Sequence, residues 1–383
     1  MRARWLLLLG VTALYVWAED LPAGRIIDVV KCEVDPSQSY ALYVPSNYSA
    51  TRPWNVIFAM DPGARGRIPV TQFQAAAETY GYIVAGSNNS RNGSWNSSLL
   101  AVQAMAADVS KRFVIDSKRM YSAGMSGGAR VAMQVALASN QMAGVIASSA
   151  GYPDSQPRKS APFAIFATAG TEDFNYLELR QLDRALKSPH HLAIFEGGHT
   201  WLSSNLAVEA IEWMEIQAMK SGRRSKDGAL LEKIFAKRVA QLEAESGDAA
   251  ALLALEGLVS DFDGLKDVSG YATRAAALSR QKTVVEALKK ERSEEQREER
   301  MITEIATLEN DLSDADKHGS SLSQLKSLLS NLSRQSNAAE DSSTRRLARR
   351  VLRGAIVGSI ERVKDPEYQK LLEAVRPAAR PRG

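Results

Sequence analysis

A chain of 383 residues, 45% hydrophobic and 24% charged, is long enough for two domains with ordinary cores and too apolar to be disordered throughout. Its net charge of +4, from 48 basic and 44 acidic residues, gives no reason to expect a nucleic-acid partner, which would demand a concentrated basic face. One Cys and four His exclude an intramolecular disulfide, a Cys-based zinc or iron–sulfur centre and an HExxH zinc peptidase.

Arg2 and Arg4 precede an apolar run from Trp5 to Trp17, which closes on Val16-Trp17-Ala18 before Glu19-Asp20. This pattern predicts a cleaved secretory signal over residues 1–18 and a secreted or periplasmic mature chain. The run falls short of the about 20 residues that cross a bilayer, so no integral span is expected after cleavage, with an uncleaved N-terminal anchor as the alternative. Cys32 sits in the apolar stretch IIDVVKCEV and is expected to be a buried thiol.

Residues 19–218 alternate strand and helix signals. Short β-branched runs occur at Ile26–Val34, Tyr40–Val44, Trp54–Met60, Tyr82–Ser87, Arg119–Gly124, Gly144–Gly151, Phe163–Gly170 and Leu192–Gly197. From the third onward they are separated mostly by helix-period segments such as QFQAAAETYG and LLAVQAMAADVSKRF. The fold class is therefore α/β: a mostly parallel sheet with helices on both faces and an antiparallel edge made by the first two strands. Function in such sheets sits in loops at the carboxyl ends of the strands.

Residues 219–228, MKSGRRSKDG, read as a linker. Over 229–383 strand signals vanish, and Leu, Ala, Glu, Arg and Lys recur with helical spacing, predicting five to seven helices in an all-α region. The run Lys289–Arg300, KKERSEEQREER, has no apolar residue and reads as a solvated helix laced with opposite-charge pairs. The final segment has the shape of half a tetratricopeptide helix pair, though no clean period of about 34 residues repeats. This region offers a surface for a protein partner.

One constellation carries chemistry. Strand RMYSAG runs into Gly124-Met125-Ser126-Gly127-Gly128 and then the helix ARVAMQVALAS, which is GxSxG in the strand–turn–helix setting of a nucleophile elbow. Ser126 must sit on a strained turn, so its neighbours must be small, and the amide of Gly127 at the helix start can stabilise an oxyanion. A serine hydroxyl needs a base. His199, in EGGHTW after the last strand, is placed for it, whereas His190 and His191 precede that strand and His318 lies among the helices. The acid that orients the base belongs between them in chain order: Asp173 in AGTEDFNY fits, with Glu172 and Asp154 as alternatives. A second oxyanion donor is expected from the loop after the third strand, Asp61-Pro62-Gly63-Ala64, and since Pro62 has no N–H it falls to Gly63 or Ala64.

Together these motifs resemble the α/β-hydrolase superfamily, and most closely its secreted polyhydroxybutyrate depolymerase and feruloyl esterase-like branch, over Ile26 to Met219. GTED is similar to that branch's Gly-Thr-x-Asp acid loop and GGHTW to its Gly-Gly-His-x-Trp base loop. Two positions depart: Asp61-Pro62 stands where the family has His-Gly, and Ala169 where a His often precedes the acid loop. The resemblance implies ester hydrolysis through an acyl-enzyme, with no metal or organic cofactor. Trp201 and Trp95 are candidate pocket walls, and the absence of a long insertion between strands favours an open site for a bulky or polymeric ester. A serine peptidase on the same scaffold and a non-catalytic hydrolase-like binding module are the competing readings.

Overall fold

A computed structural model describes residues 21–154, 158–360 and 362–377; the expected signal over residues 1–18 lies outside them. The strands are β1 (Ile26–Lys31), β2 (Ser39–Tyr43), β3 (Trp54–Met60), β4 (Tyr82–Ser87), β5 (Ile115–Met125), β6 (Gly144–Ser148), β7 (Ala164–Gly170) and β8 (His190–Phe195). They form one sheet in the order β1-β2-β4-β3-β5-β6-β7-β8. β1–β2 and β2–β4 pair antiparallel, and every pair from β4 to β8 is parallel. This is the α/β-hydrolase fold, with the antiparallel edge where the sequence implied it.

Because side chains alternate across a strand, β3 feeds two cores at once: Val56, Phe58 and Met60 face one, Ile57 and Ala59 the other. The first core is closed by α2 (Trp95–Arg112), α3 (Gly127–Ser139) and α4 (Tyr176–Ala185), the second by α1 (Arg67–Tyr80) and α5 (Ser204–Lys220). Cys32 is 2% exposed in the first core, and burial, reinforced by nearby Asp108 and Asp35, pushes its thiol up to about 11. β8 begins at His190, so His190 and His191 lie inside the strand and not before it.

Among the described residues seven helices follow: α6 (Gly228–Glu243), α7 (Asp248–Phe262), α8 (Ser269–Leu278), α9 (Lys282–Asp311), α10 (His318–Ser336), α11 (Ser343–Ser359) and α12 (Pro366–Ala374). Their lengths run from 9 to 30 residues, unlike the near-equal pairs that a tetratricopeptide array stacks. α5 belongs to both halves of the chain: Ile216 and Met219 share a core with Leu231, Leu255 and Phe262, so a boundary at Met219 cuts through packed side chains.

The same seam buries Asp261, which accepts a 2.6 Å hydrogen bond from the Trp213 indole. Burial pushes its carboxyl up to about 6, against the opposing pull of Trp213, Arg238 and Lys220. A carboxyl whose folded value exceeds its unfolded 3.8 favours folding fully below 3.8, and that contribution is lost as pH rises through about 6. At neutral pH ionised Asp261 therefore opposes folding by on the order of 3 kcal/mol. Asp261→Asn keeps the acceptor for Trp213 and removes the charge. Thermal denaturation should show the variant melting higher than wild type at pH 8, with the gap closing near pH 4; an equal gap at both values would contradict this origin.

Candidate active site

Ser126 caps α3 with φ 54° and ψ −122°, a positive-φ conformation that costs a non-glycine residue about 1–3 kcal/mol. The turn is possible because Gly124 and Gly128 have no side chains: a Cβ on Gly124 would overlap the Gly128 carbonyl, and one on Gly128 the Met60 carbonyl. Ser94 and Ser203 cap α2 and α5 by accepting amide hydrogens through their hydroxyls, but Ser126 makes no such side-chain cap. Its hydroxyl is thus not drawn back into the helix, and its own amide donates to the Ser148 carbonyl at 2.8 Å. Gly127 is the first residue of α3, where the amide has no helical carbonyl behind it and the helix dipole favours negative charge.

Asp173 and His199 meet directly. Asp173 follows β7, His199 follows β8, and His199 Nδ1 lies 2.8 Å from Asp173 Oδ1. The same oxygen accepts the Asn175 amide at 2.9 Å, which fixes the carboxylate's rotation. The carboxylate is fully buried, and its Oδ2 has no hydrogen-bond partner among the described residues. The Phe174 ring stacks on the imidazole at 4.0 Å between centroids, holding its plane.

The two alternatives for the acid are committed elsewhere. Glu172, also fully buried, is met by Arg349 Nη1 at 2.9 and 3.1 Å, and exposed Asp154 pairs with Arg158 at 2.7 Å. The other imidazoles are likewise engaged. Burial pushes His191 down to about 4 in a stack on Phe166, His190 Nδ1 meets the Ser188 carbonyl at 2.7 Å, and His318 Nε2 meets Asp365 at 2.7 Å.

Asp61 gives a different outcome from the sequence reading. Its Oδ1 accepts the Gly63 amide at 2.8 Å, and the Asp61 carbonyl accepts the Ala64 amide at 3.1 Å. Both amides expected to supply the second oxyanion donor are therefore turned onto Asp61, because the carboxylate and the tight turn compete for them. Asp61 also binds Arg65 Nε at 2.7 Å and, through Oδ2, the Trp201 indole at 2.8 Å. Trp201 is 6% exposed and so is a strut between the base loop and the β3–α1 loop, not a pocket wall. Trp95 is 43% exposed at the start of α2.

Three contributors escaped the sequence reading. Asn92, three residues before Trp95, lies against Gly127, so that a methyl at position 127 would overlap its side-chain amide. Ser149 accepts the Thr200 amide and donates to the Thr200 carbonyl at 2.9 Å, while its own carbonyl accepts from the Asn175 side chain at 2.7 Å. It thereby joins the end of β6 to the acid and base loops. Phe174 differs, since an aromatic next to the acid is a visible signal whose stacking role depends on where His199 lands. Among the described residues no group of three His, Cys, Asp or Glu side chains is arranged to hold a metal.

No family model matches the chain, and no curated protein matches it. Solved structures with similar folds include the S-formylglutathione hydrolase of Staphylococcus aureus, at 14% identity and TM-score 0.36, covering 46% of this chain and 92% of that one. Esterase 2 of Thermogutta terrifontis, phosphonylated by sarin, matches at 13% identity and TM-score 0.39, over 53% and 96%. A ferulic acid esterase matches at 15% identity and TM-score 0.41, over 50% and 97%. These structural neighbours are esterases.

Proposed function

We propose that the protein is a serine carboxylic-ester hydrolase in which Ser126 is the nucleophile, His199 the general base and Asp173 the residue that orients it. The observation that carries this reading is the 2.8 Å contact between His199 Nδ1 and buried Asp173, on loops at the same carboxyl end of the parallel sheet as a serine held on a positive-φ turn at a helix N-terminus. His199 Nε2 takes the proton of Ser126 as its oxygen attacks the ester carbonyl; the imidazolium then protonates the leaving alcohol, and water releases the acyl group by the reverse sequence. The Gly127 amide holds the developing oxyanion. Asn92, whose Oδ1 lies nearest position 127 with the Nδ2 group farther off, is the candidate for a second donor, through that NH2, in place of Gly63 and Ala64.

Ser126 and His199 both keep part of their surface accessible, which supports an open site and a bulky or polymeric ester as the substrate class. The proposal includes export, on the strength of the N-terminal pattern in residues 1–18. Among the described residues no helix is long and apolar enough to cross a membrane.

A fluorophosphonate should label the wild-type chain and not Ser126→Ala, and a panel of p-nitrophenyl esters and peptide anilides should show turnover of the esters alone. Absence of labelling in the native protein would overturn the reading, and turnover of the anilides would move it to a peptidase.

A further inference from the structure

The charged run in α9 is solvated on one face only, where Lys289, Lys290, Arg292, Arg297 and Arg300 are exposed; its other face is docked. Glu298 is fully buried and Glu295 6% exposed, and their partners lie on other elements. Glu295 meets Arg180 at 2.9 Å and Arg184 at 2.5 Å on α4, Glu291 meets Arg180 at 2.7 Å, and Glu298 accepts Arg350 Nε at 2.9 Å from α11. This ladder docks the helical region onto the flank of the sheet that carries the acid loop.

α11 continues the contact to the catalytic loops themselves. Arg346, Arg349, Arg350 and Arg353 recur at intervals of three, four and seven and so share one face of that helix, while Leu347, Val351 and Leu352 on the other face enter the helical core. Arg349 binds Glu172, and its Nε also donates to the Ser336 carbonyl at 2.8 Å, so the guanidinium cannot swing away freely. Arg350 Nη1 donates to the Thr171 carbonyl at 2.7 Å. On the base loop, Arg346 meets Glu196 at 3.1 Å. Arg353 lies 3.8 Å from Glu172, and its guanidinium rests against Gly198, where an added Cβ would stand only 2.8 Å from Nη1. One helix thus grips residues 171 and 172 on one side of the triad and 196 and 198 on the other, immediately beside Asp173 and His199.

We infer that the helical region is part of the catalytic apparatus: Arg349 and Arg353 of α11 are positioning residues that hold the acid and base loops in register, so that the 2.8 Å contact between Asp173 and His199 persists. Loops joining strands to helices move readily unless tied, and buried Glu172 is tolerable only while its charge is matched. Without Arg349 the acid loop must shift to hydrate Glu172, and Asp173, its chain neighbour, shifts with it. A displacement of about 1 Å at a reacting group costs up to about 100-fold in rate. The inference rests on the esterase reading given above.

The test uses the full-length chain, p-nitrophenyl acetate and fluorophosphonate labelling of Ser126, with melting temperature read in parallel. Arg349→Met and the more exposed Arg353→Met are expected to lower kcat about 10- to 100-fold and about 10-fold with KM little changed, and Arg349→Lys to regain part of the loss. Leu255→Ala, which opens a cavity in the helical region away from α11, should lower the melting temperature yet leave kcat at the wild-type level. If Arg349→Met does not fold, Arg353→Met decides. Variants that label and turn over like wild type would overturn the inference while leaving the esterase reading intact. A kcat that follows melting temperature in Leu255→Ala as in the arginine variants would reduce the contact to a staple. A wild type that never labels overturns both.

Discussion

His199→Ala and Asp173→Asn are each expected to lower kcat/KM on p-nitrophenyl acetate by about 10³- to 10⁴-fold, while His190→Ala and His191→Ala stay within a few-fold of wild type. The loss in His199→Ala is that of the base. In Asp173→Asn the isosteric amide fills the same buried space, but a carboxylate that accepted from both His199 and the Asn175 amide becomes a group with one acceptor oxygen and two donor hydrogens. Either the imidazole adopts the wrong tautomer or the Asn175 amide loses its partner, and the charge that stabilises imidazolium is gone in both cases. His191→Ala removes a ring stacked 5.0 Å from Phe166 and should cost melting temperature, not turnover. Steady-state kinetics on the four folded variants decide it. Equal losses at all three histidines would undo the assignment of the base, and a retained rate in Asp173→Asn that of the acid.

Asp61→Asn is expected to cost about 2–3 kcal/mol of stability and to slow turnover as well, because the charged carboxylate holds Gly63, Arg65 and Trp201 at once. Asn cannot accept on both sides: one orientation sets its NH2 against the Trp201 indole, the other against Arg65 and Gly63. The same carboxylate makes the site acid-sensitive. Burial alone would raise its pKa, but hydrogen bonds from Arg65, Trp201 and the Gly63 amide outweigh burial and hold it below the usual 3.8. A depressed folded value means that the stabilisation is full above the unfolded pKa and is lost as pH falls through the folded one. The wild-type advantage over Asp61→Asn should therefore be constant from pH 8 to about 5 and shrink below 4, as read by urea denaturation at each pH. An advantage that grows on acidification would contradict the sign.

Trp201 and the charged run in α9 show where linear reading misleads. Both had a plain local reading, a wall beside the base and a solvated helix face. The first was overruled, and the second confined to one face of the helix, by a partner far away in sequence: Asp61 lies 140 residues from Trp201, and Arg180 lies 115 from Glu295. Glu172 and Asp173 make the same point at one-residue spacing, since chain order allows either as the acid and only their partners, Arg349 at 177 residues from Glu172 and His199 against Asp173, distinguish them.

By itself the sequence determined the eight strands, the antiparallel edge, the glycine-flanked serine turn and the chain order of Ser126, Asp173 and His199. All of these depend on local periodicity and on residue types that a backbone position requires: period two for strands, small neighbours for the strained turn, a position after a strand for each polar group. Only the tertiary structure decided which amides Asp61 engages, that Asn92 covers Gly127, and that a helix from the other half of the chain grips the loops that carry Asp173 and His199. Those contacts join residues whose pairing leaves no periodic trace, because a buried charge is matched by whichever opposite charge the packing of distant elements brings within about 3 Å.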